Sequence, residues 1–292
     1  INISTVNILQ YSIPLGALVT FAALKLHPFI WLTGGHTTSE AFNLIHFSDT
    51  ALILGFLSLF SINWERKDPA LVLTLKLCGF LAGIYMSIQS GQRGGWIAIP
   101  PLLLLWVIAH SGQRLWFKFA ITMLVLLSAT WLSYATIDFV HYRIDMIAND
   151  LSNYAHGNKD TSIGVRLQLW QAALHLFFEN PFFGSGPGGF AQAMPALNAS
   201  GMLTPEAARL GNAEVHNEIL AKCAGTGLFG LASILSIYLV PVFIFWRATK
   251  SSSNIKRSAG FMGICLVLGF FIFGLTVEIF DLRMTAAFFS FT

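Results

Sequence analysis

Charged side chains are scarce in this sequence. Only 11% of its 292 residues are Asp, Glu, Lys or Arg, while 55% are hydrophobic, and a soluble domain ordinarily carries about 25% charged residues. The formal net charge is +3, and the 17 basic residues are too sparse to form a nucleic-acid-binding surface. We therefore exclude nucleic acid as a partner and expect most of the surface to face lipid instead of water.

Motifs for metal and nucleotide binding are missing as well. Cys78, Cys223 and Cys265 are too far apart for a zinc site or a disulfide framework, and we interpret them as small core residues. The eight histidines show no HxxxH or HExxH spacing, and neither a GxSxG elbow nor a Walker loop is present. The sequence predicts neither a metal site nor a cofactor.

Long apolar runs are what the sequence does contain. A bilayer core about 30 Å thick is crossed by roughly 20 helical residues. We predict seven spans, at about 8–26, 44–63, 70–90, 95–110, 117–138, 225–246 and 258–280. Pro14, Pro100 and Pro101 are expected to interrupt or shorten the first and fourth of these. The predicted fold class is therefore all-α, a polytopic membrane helix bundle.

Basic residues between the spans predict the orientation. Lys and Arg cluster in the connections 63–70, 110–118 and 247–257, and the positive-inside rule makes these cytoplasmic. The long polar segment 139–224 then lies on the opposite, external side. We predict about five spans in 1–138, a large helical and loop insert at 139–224, and about two spans in 225–292. The chain begins without methionine and ends inside an apolar run, so we expect a piece of a longer protein.

The insert contains one amphipathic pattern and one glycine-rich segment. Apolar residues of 163–179 share one helix face, which predicts a helix lying against the membrane or the bundle. Asn180 and Pro181 are expected to end it. The following segment 183–190 has four glycines, which predicts a tight turn or a backbone nest. Such a turn either binds phosphate through its N–H groups or simply closes the helix end.

Two arginines outside the cytoplasmic connections are candidate anion ligands. Arg93 lies in SGQRGGW (90–96), and it is either a snorkelling interfacial residue or an anion site, since an external loop ordinarily avoids arginine. Arg166 lies in the first turns of the amphipathic helix, where it is either a solvated charge or a guanidinium fork for phosphate oxygens.

His216, in AEVHNEIL (213–220), directly precedes the sixth predicted span. A lone histidine is usually structural. Because the reference pKa of histidine is about 6.5, this residue type is also suited to take a proton from a hydroxyl at neutral pH. Glu214 or Glu218 could orient the ring, although Glu218 is expected to point off the same helix face. His216 is therefore a candidate general base.

Three blocks of the sequence, in this order, resemble a known family. They are SGQRGG, then SIGVRLQLWQAALHLFFENPFFGSGPGGF, then VHNEILAKCAGTGLFGLASIL. Together they resemble the O-antigen ligase and polymerase family of bacterial membrane glycosyltransferases, over roughly residues 85–245. The matching positions are Arg93, Arg166, Trp170, Asn180, Pro181, Gly184, Gly186, Gly189, Phe190, His216, Asn217, Gly227 and Gly230.

The resemblance implies an O-antigen ligase, an enzyme that transfers a glycan from undecaprenyl diphosphate to a sugar hydroxyl of the lipid A-core of lipopolysaccharide. It implies a multi-pass protein of the bacterial inner membrane whose active site faces the periplasm, in contact with membrane lipids and without metal or nucleotide. Arg93 and Arg166 would hold the diphosphate, and His216 would activate the acceptor. Supporting residues would be Gln92, Trp170, Gly184, Gly186, Glu214 and Asn217. Attack from the side opposite the diphosphate predicts inversion at the anomeric carbon.

Other functions fit parts of the same pattern. An O-antigen polymerase or a protein O-oligosaccharyltransferase would use the same donor with a different acceptor. A transporter or lipid flippase would place charges near the bilayer midplane and repeat a pair of broken helices. Asp49 and Glu278 are the only buried-charge candidates for that reading, and the sequence has no visible internal repeat.

Overall fold

The computed structural model describes residues 3–26, 44–91, 93–110 and 115–291, and all regular structure within these ranges is helical. In chain order the helices are α1 (Ile3–Leu26), α2 (Leu44–Phe60), α3 (Ala70–Ser90), α4 (Arg93–His110), α5 (Leu115–Thr136), α6 (Asp138–Ala155), α7 (Ser162–Glu179), α8 (Gly189–Ala199), α9 (Pro205–Gly211), α10 (Glu218–Thr249), α11 (Asn254–Gly274) and α12 (Arg283–Phe291). Residues 1, 2, 27–43, 111–114 and 292, together with Gln92, lie outside the described residues.

Seven apolar helices correspond to the seven predicted spans. Four of them, α3, α5, α10 and α11, are long and apolar enough to cross a membrane, and α1, α2 and α4 contain shorter apolar stretches. The prediction of an all-α polytopic membrane bundle is confirmed. The expectation that proline interrupts the first and fourth spans is wrong, because α1 continues through Pro14 and α4 through Pro100 and Pro101. Inside a membrane protein, neighbouring groups can satisfy the carbonyls that a proline frees.

The first compact unit contains 1–124, 239–273 and 280–292. Here α1, α2 and α3 pack against one another, and glycines let α2 and α3 approach closely. A Cβ on Gly83 would lie 2.6 Å from the Ala51 carbonyl oxygen, and one on Gly55 would lie 3.1 Å from the Gly83 Cα. Small residues are the usual means of close packing between membrane helices, since lipid provides no hydrophobic drive for their association.

The interpretation of all three cysteines as core residues holds for Cys223 and Cys265 but is wrong for Cys78, which is exposed on α3. The physical reason is that an apolar run in a membrane helix includes its lipid-facing side. Apolarity alone therefore cannot separate that side from the packed side.

The second compact unit contains 125–238 and 274–279, and α7 lies at its centre. This helix packs against α6, α8 and α9. The apolar face predicted for 163–179 is the buried face, with Val165, Leu169, Ala172 and Leu176 in one core cluster. The amide of buried Gln168 adds a polar tie, since its Oε1 accepts a hydrogen bond from the Thr204 N–H at 2.9 Å.

The last two spans end differently from their predicted bounds. Helix α10 begins at Glu218, before the predicted start at 225, and it contains a break at Gly227, where φ is 63° and ψ is −144°. Helix α11 ends at Gly274, before the predicted end at 280. The turn 274–279 is therefore not part of a span and belongs to the second compact unit.

Candidate functional site

Arg166 is positioned by the first turn of α7. The Thr161 side chain caps this helix by accepting a hydrogen bond from the Gly164 N–H at 3.0 Å. Ser162 lies one turn before Arg166, and its hydroxyl accepts a hydrogen bond from Arg166 Nη1 at 3.1 Å. The guanidinium is thus held at the N-terminal end of α7, and the partial positive charge of a helix N-terminus also favours an anion.

His216 has an unusual backbone conformation just before α10. Its φ is +60°, which is the left-handed region that non-glycine residues rarely adopt. Holding a residue there costs about 1–3 kcal/mol and requires support from the surrounding structure. Such an outlier is a reason to examine the residue for a functional role.

Three hydrogen bonds supply that support, all within the second unit. The Val215 N–H donates to Glu278 Oε1 at 2.5 Å, and the Trp170 indole N–H donates to the His216 carbonyl at 3.2 Å. Asn217 caps α10, because its Oδ1 accepts the Leu220 N–H at 3.0 Å. The Val215 N–H before His216 and the carbonyl of His216 itself are therefore hydrogen-bonded to residues distant in sequence.

The imidazole of His216 has a carboxylate behind it. Nδ1 lies 2.6 Å from Glu214 Oε1, which is an ion-pair distance, although the two groups are not aligned for a good hydrogen bond. The His216 side chain is 19% exposed. A carboxylate at Nδ1 favours the tautomer with the proton on Nδ1, which leaves Nε2 free to accept one. Glu218 is instead buried and pairs with Lys222 of its own helix, with Oε1 and Nζ 3.1 Å apart.

Arg166 and His216 face the same pocket, which has a volume of about 260 Å³. Its lining residues are Asp160, Thr161, Ser162, Val165, Arg166, Glu206, Leu210 and His216. The structure thus brings together Arg166 and His216, which are 50 positions apart in the sequence. One cationic side chain and one imidazole face a space that could hold an anionic group and a hydroxyl.

The acidic residues of the pocket are themselves partnered. Glu206 accepts two hydrogen bonds from Arg209, at 2.7 and 2.9 Å, and these lower the pKa of Glu206 from its ordinary value. The Asp160 carboxylate accepts a hydrogen bond from the Thr204 hydroxyl at 2.5 Å. The Arg209 guanidinium therefore reduces the repulsion that the Glu206 carboxylate would exert on an incoming anion.

The glycine-rich loop after α7 packs on the break in α10. The N–H groups of Ser185 and Gly186 donate to the carbonyls of Ala224 and Gly225 at 2.8 and 2.9 Å. A Cβ on Gly184 would lie 2.5 Å from the Gly225 carbonyl carbon. Because these two amides are used for docking, the structure favours a helix-end loop over a phosphate nest.

Arg93 is the first residue of α4, at the start of a membrane helix as expected. Its side chain and Gln92 lie outside the described part of the chain, so their participation remains a prediction. Within the described ranges, no group of three His, Cys, Asp or Glu side chains is placed to hold a metal ion.

Sequence reasoning did not assign two residues that shape the site. The sequence suggests Glu278 only as an intramembrane charge, whereas in the structure its carboxylate accepts a hydrogen bond from the Val215 N–H. Nothing in the sequence marks Ser162, whose hydroxyl accepts a hydrogen bond from Arg166. An acidic residue directly after a long apolar run is the signal that marks Glu278, but nothing local connects it to His216.

The fold and the pocket define a multi-pass helical membrane protein with an arginine and a histidine at one polar site. The family model for O-antigen ligase matches residues 78–235, which is more than half of the chain. The chain belongs to the O-antigen ligase family.

Two curated relatives agree in sequence over much of the chain. The O-antigen ligase of Escherichia coli is 25% identical over 219 residues, covering 74% of this chain and 51% of that protein. An uncharacterized protein of Haemophilus influenzae is 26% identical over 196 residues, covering 64% of this chain and 48% of that protein. The chain therefore spans about half the length of these relatives.

Proposed function

We propose that this protein transfers a glycan from undecaprenyl diphosphate to a hydroxyl of the lipid A-core, at the periplasmic face of the bacterial inner membrane. The observation that carries the proposal is the pocket shared by Arg166 and His216, with Glu214 2.6 Å behind the imidazole. Membership of the O-antigen ligase family and the name of the Escherichia coli relative support the choice of reaction.

Arg166 is proposed to bind the diphosphate, together with Arg93 from the start of α4. Negative charge grows on the leaving diphosphate as the glycosidic bond breaks, so a guanidinium held in place binds the transition state more tightly than the ground state. The hydrogen bond to Ser162 at 3.1 Å preorganises Arg166 for this task, and the nearby N-terminus of α7 adds partial positive charge that favours the diphosphate. A lipid-linked donor keeps its tail in the bilayer, which suits a site on a membrane protein.

His216 is proposed to be the general base. Its Nε2 takes the proton of the acceptor hydroxyl while that oxygen attacks the anomeric carbon, and the bond from this carbon to the diphosphate oxygen breaks. The diphosphate leaves with the bonding electron pair, and Glu214 stabilises the imidazolium that forms. A single displacement of this kind inverts the configuration at the anomeric carbon. The chemistry uses side chains of this chain and calls for no metal or nucleotide.

The test uses the protein reconstituted in liposomes with an undecaprenyl-diphosphate-linked glycan and purified lipid A-core, in the presence of chelator. His216→Asn is the informative histidine variant because asparagine tolerates a positive φ, whereas alanine would add backbone strain. Its matched control is His175→Asn, since the His175 side chain on α7 is 40% exposed and pairs with Glu179. For Arg166→Ala the control is Arg257→Ala, at an exposed arginine that does not line the pocket.

A general base contributes about 10²–10⁴-fold to a rate, and we expect His216→Asn to lose that much transfer while both controls keep wild-type rates. Transfer by His216→Asn at the wild-type rate would reject the proposed base. Lengthening of the lipid-linked glycan without transfer to the core would identify a polymerase, and transfer to a protein would identify an O-oligosaccharyltransferase. No glycan transfer to any acceptor would favour transport.

A further inference from the structure

The break in α10 leaves backbone groups that a membrane helix would otherwise pair internally. Gly227 departs from helical geometry in the early part of a helix long and apolar enough to span the bilayer. In lipid, each unpaired backbone group costs several kcal/mol, so irregular backbone at membrane depth is found only where protein covers it. The covering segment here is the loop that follows α7.

Four hydrogen bonds attach this loop to the break. Besides the Ser185 and Gly186 amides, which donate to α10 carbonyls, the Leu228 N–H donates to the Pro181 carbonyl at 2.7 Å. The Ser185 hydroxyl donates to the Ala224 carbonyl at 2.9 Å. No space remains for a side chain at Gly227, where a Cβ would lie 2.5 Å from the Phe182 carbonyl carbon. The loop is therefore held rigidly on α10.

The docked loop presents large aromatic side chains outward. Phe182 is 62% exposed and Phe183 is 77% exposed, and the Phe183 ring lies 5.6 Å from the Phe229 ring on α10. Phe178, near the end of α7, is also exposed. We call these four residues, Phe178, Phe182, Phe183 and Phe229, the aromatic surface. Aromatic rings this exposed are costly in water and are typical of interfaces.

We propose that the aromatic surface is inserted into the bilayer at its boundary, where phospholipid acyl chains cover it. The surface is continuous with the lipid-facing side of a membrane span, because Phe183 packs on Phe229 of α10. The segment around 181–186, although part of the polar insert by sequence, thus fastens α7 to the membrane.

With the aromatic surface in the bilayer, the C-terminal end of α7 lies at the membrane. Arg166 and Phe178 are 12 positions apart on this helix. Because an α-helix rises about 1.5 Å per residue, they are about 18 Å apart along its axis. One end of α7 then lies at the bilayer and the other end at the pocket. The inference concerns lipid contact alone and stands or falls independently of glycan transfer.

The test is spin-label accessibility in the protein reconstituted in phospholipid nanodiscs. Phe182→Cys and Phe183→Cys are labelled in a Cys78→Ser background, since the other two cysteines are buried. Ser152→Cys, at an exposed position on α6, is the matched control. We expect collisions with oxygen, which partitions into lipid, to exceed those with a water-soluble nickel chelate several-fold at Phe182 and Phe183, and the reverse at Ser152.

Nickel accessibility equal to that at Ser152 would overturn the inference by placing the surface in water. Poor access of both reagents would also overturn it, because protein and not lipid would then cover the surface. A second measurement needs no substitution: a phospholipid with a carbene-generating acyl chain should label the wild-type peptide containing 178–183 and leave the peptide around Ser152 unlabelled. Absence of label from 178–183 would reject lipid contact even if the cysteine variants misfold.

Discussion

Removing the Glu278 carboxylate is expected to displace His216 without altering any residue that lines the pocket. Glu278 is 9% exposed and accepts the Val215 N–H at 2.5 Å, directly before the strained His216. In Glu278→Ala the buried Val215 N–H loses its acceptor, which costs about 1–3 kcal/mol. The left-handed conformation of His216, itself costing about 1–3 kcal/mol, loses one of its anchors.

The expected magnitudes follow from these contacts. Glu278→Ala should lower the free energy of unfolding by about 1–3 kcal/mol, while Glu278→Gln should lose about 1 kcal/mol, since its amide oxygen still accepts a hydrogen bond but carries no charge. A catalytic group misplaced by about 1 Å can reduce a rate about 10²-fold. We therefore expect kcat for glycan transfer to fall by about that factor in Glu278→Ala and to recover largely in Glu278→Gln.

The assay compares kcat and KM for the lipid-linked donor alongside thermal unfolding in detergent. A positioning role predicts a lower kcat with a nearly unchanged donor KM, because Arg166 is still held by Ser162. The control is Glu179→Ala, which removes the exposed carboxylate that pairs with His175. An exposed pair of this kind contributes about 0–1 kcal/mol to the free energy of unfolding. A wild-type kcat in Glu278→Ala, or equal losses in the Gln and Ala variants, would refute the reasoning.

Two further changes test the anchoring of His216 and the packing of the loop on α10. Trp170→Phe removes the indole donor to the His216 carbonyl at 3.2 Å, so it should destabilise the protein by about 0.5–1.5 kcal/mol and reduce kcat. Thermal unfolding and the transfer assay measure these effects, and an unchanged kcat would contradict the anchoring role. Gly227→Ala places a Cβ 2.5 Å from the Phe182 carbonyl carbon at a φ of 63°, so it should destabilise by at least about 1–3 kcal/mol, whereas Gly225→Ala, where the Cβ meets open space, should be much milder. Equal melting temperatures of the two glycine variants would exclude the proposed close packing of the loop on α10.

The helices could be predicted because their signals are local. Apolar length determines which segments can cross a bilayer, and the apolar face of 163–179 became the buried face of α7. The bounds of the last two spans could not be read in this way. Gly227 looks like one glycine among several in an apolar run, and only its contact with Phe182 and the docked loop shows that the helix must break there.

In the candidate site, too, the residues with local signals could be predicted and those joined by long-range contacts could not. Arg166 and His216 could be selected from residue type and from the family pattern, and Glu214 was near enough in sequence to be considered. Glu278 could not be connected to His216, because the hydrogen bond to Val215 joins residues 63 positions apart. Chain distance carries no information about such a contact until the turn after α11 is seen to join the second unit.

By itself, the sequence determined that most of the surface faces lipid, that the fold is helical and which residue types are available for chemistry. Hydropathy and side-chain chemistry are properties of single residues and short runs. The tertiary structure alone decided that Arg166 and His216 share a pocket, that His216 is strained and anchored from three directions, and that a glycine loop covers a broken span. These features arise from hydrogen bonds and close contacts between distant segments, and such contacts exist only once the chain has packed.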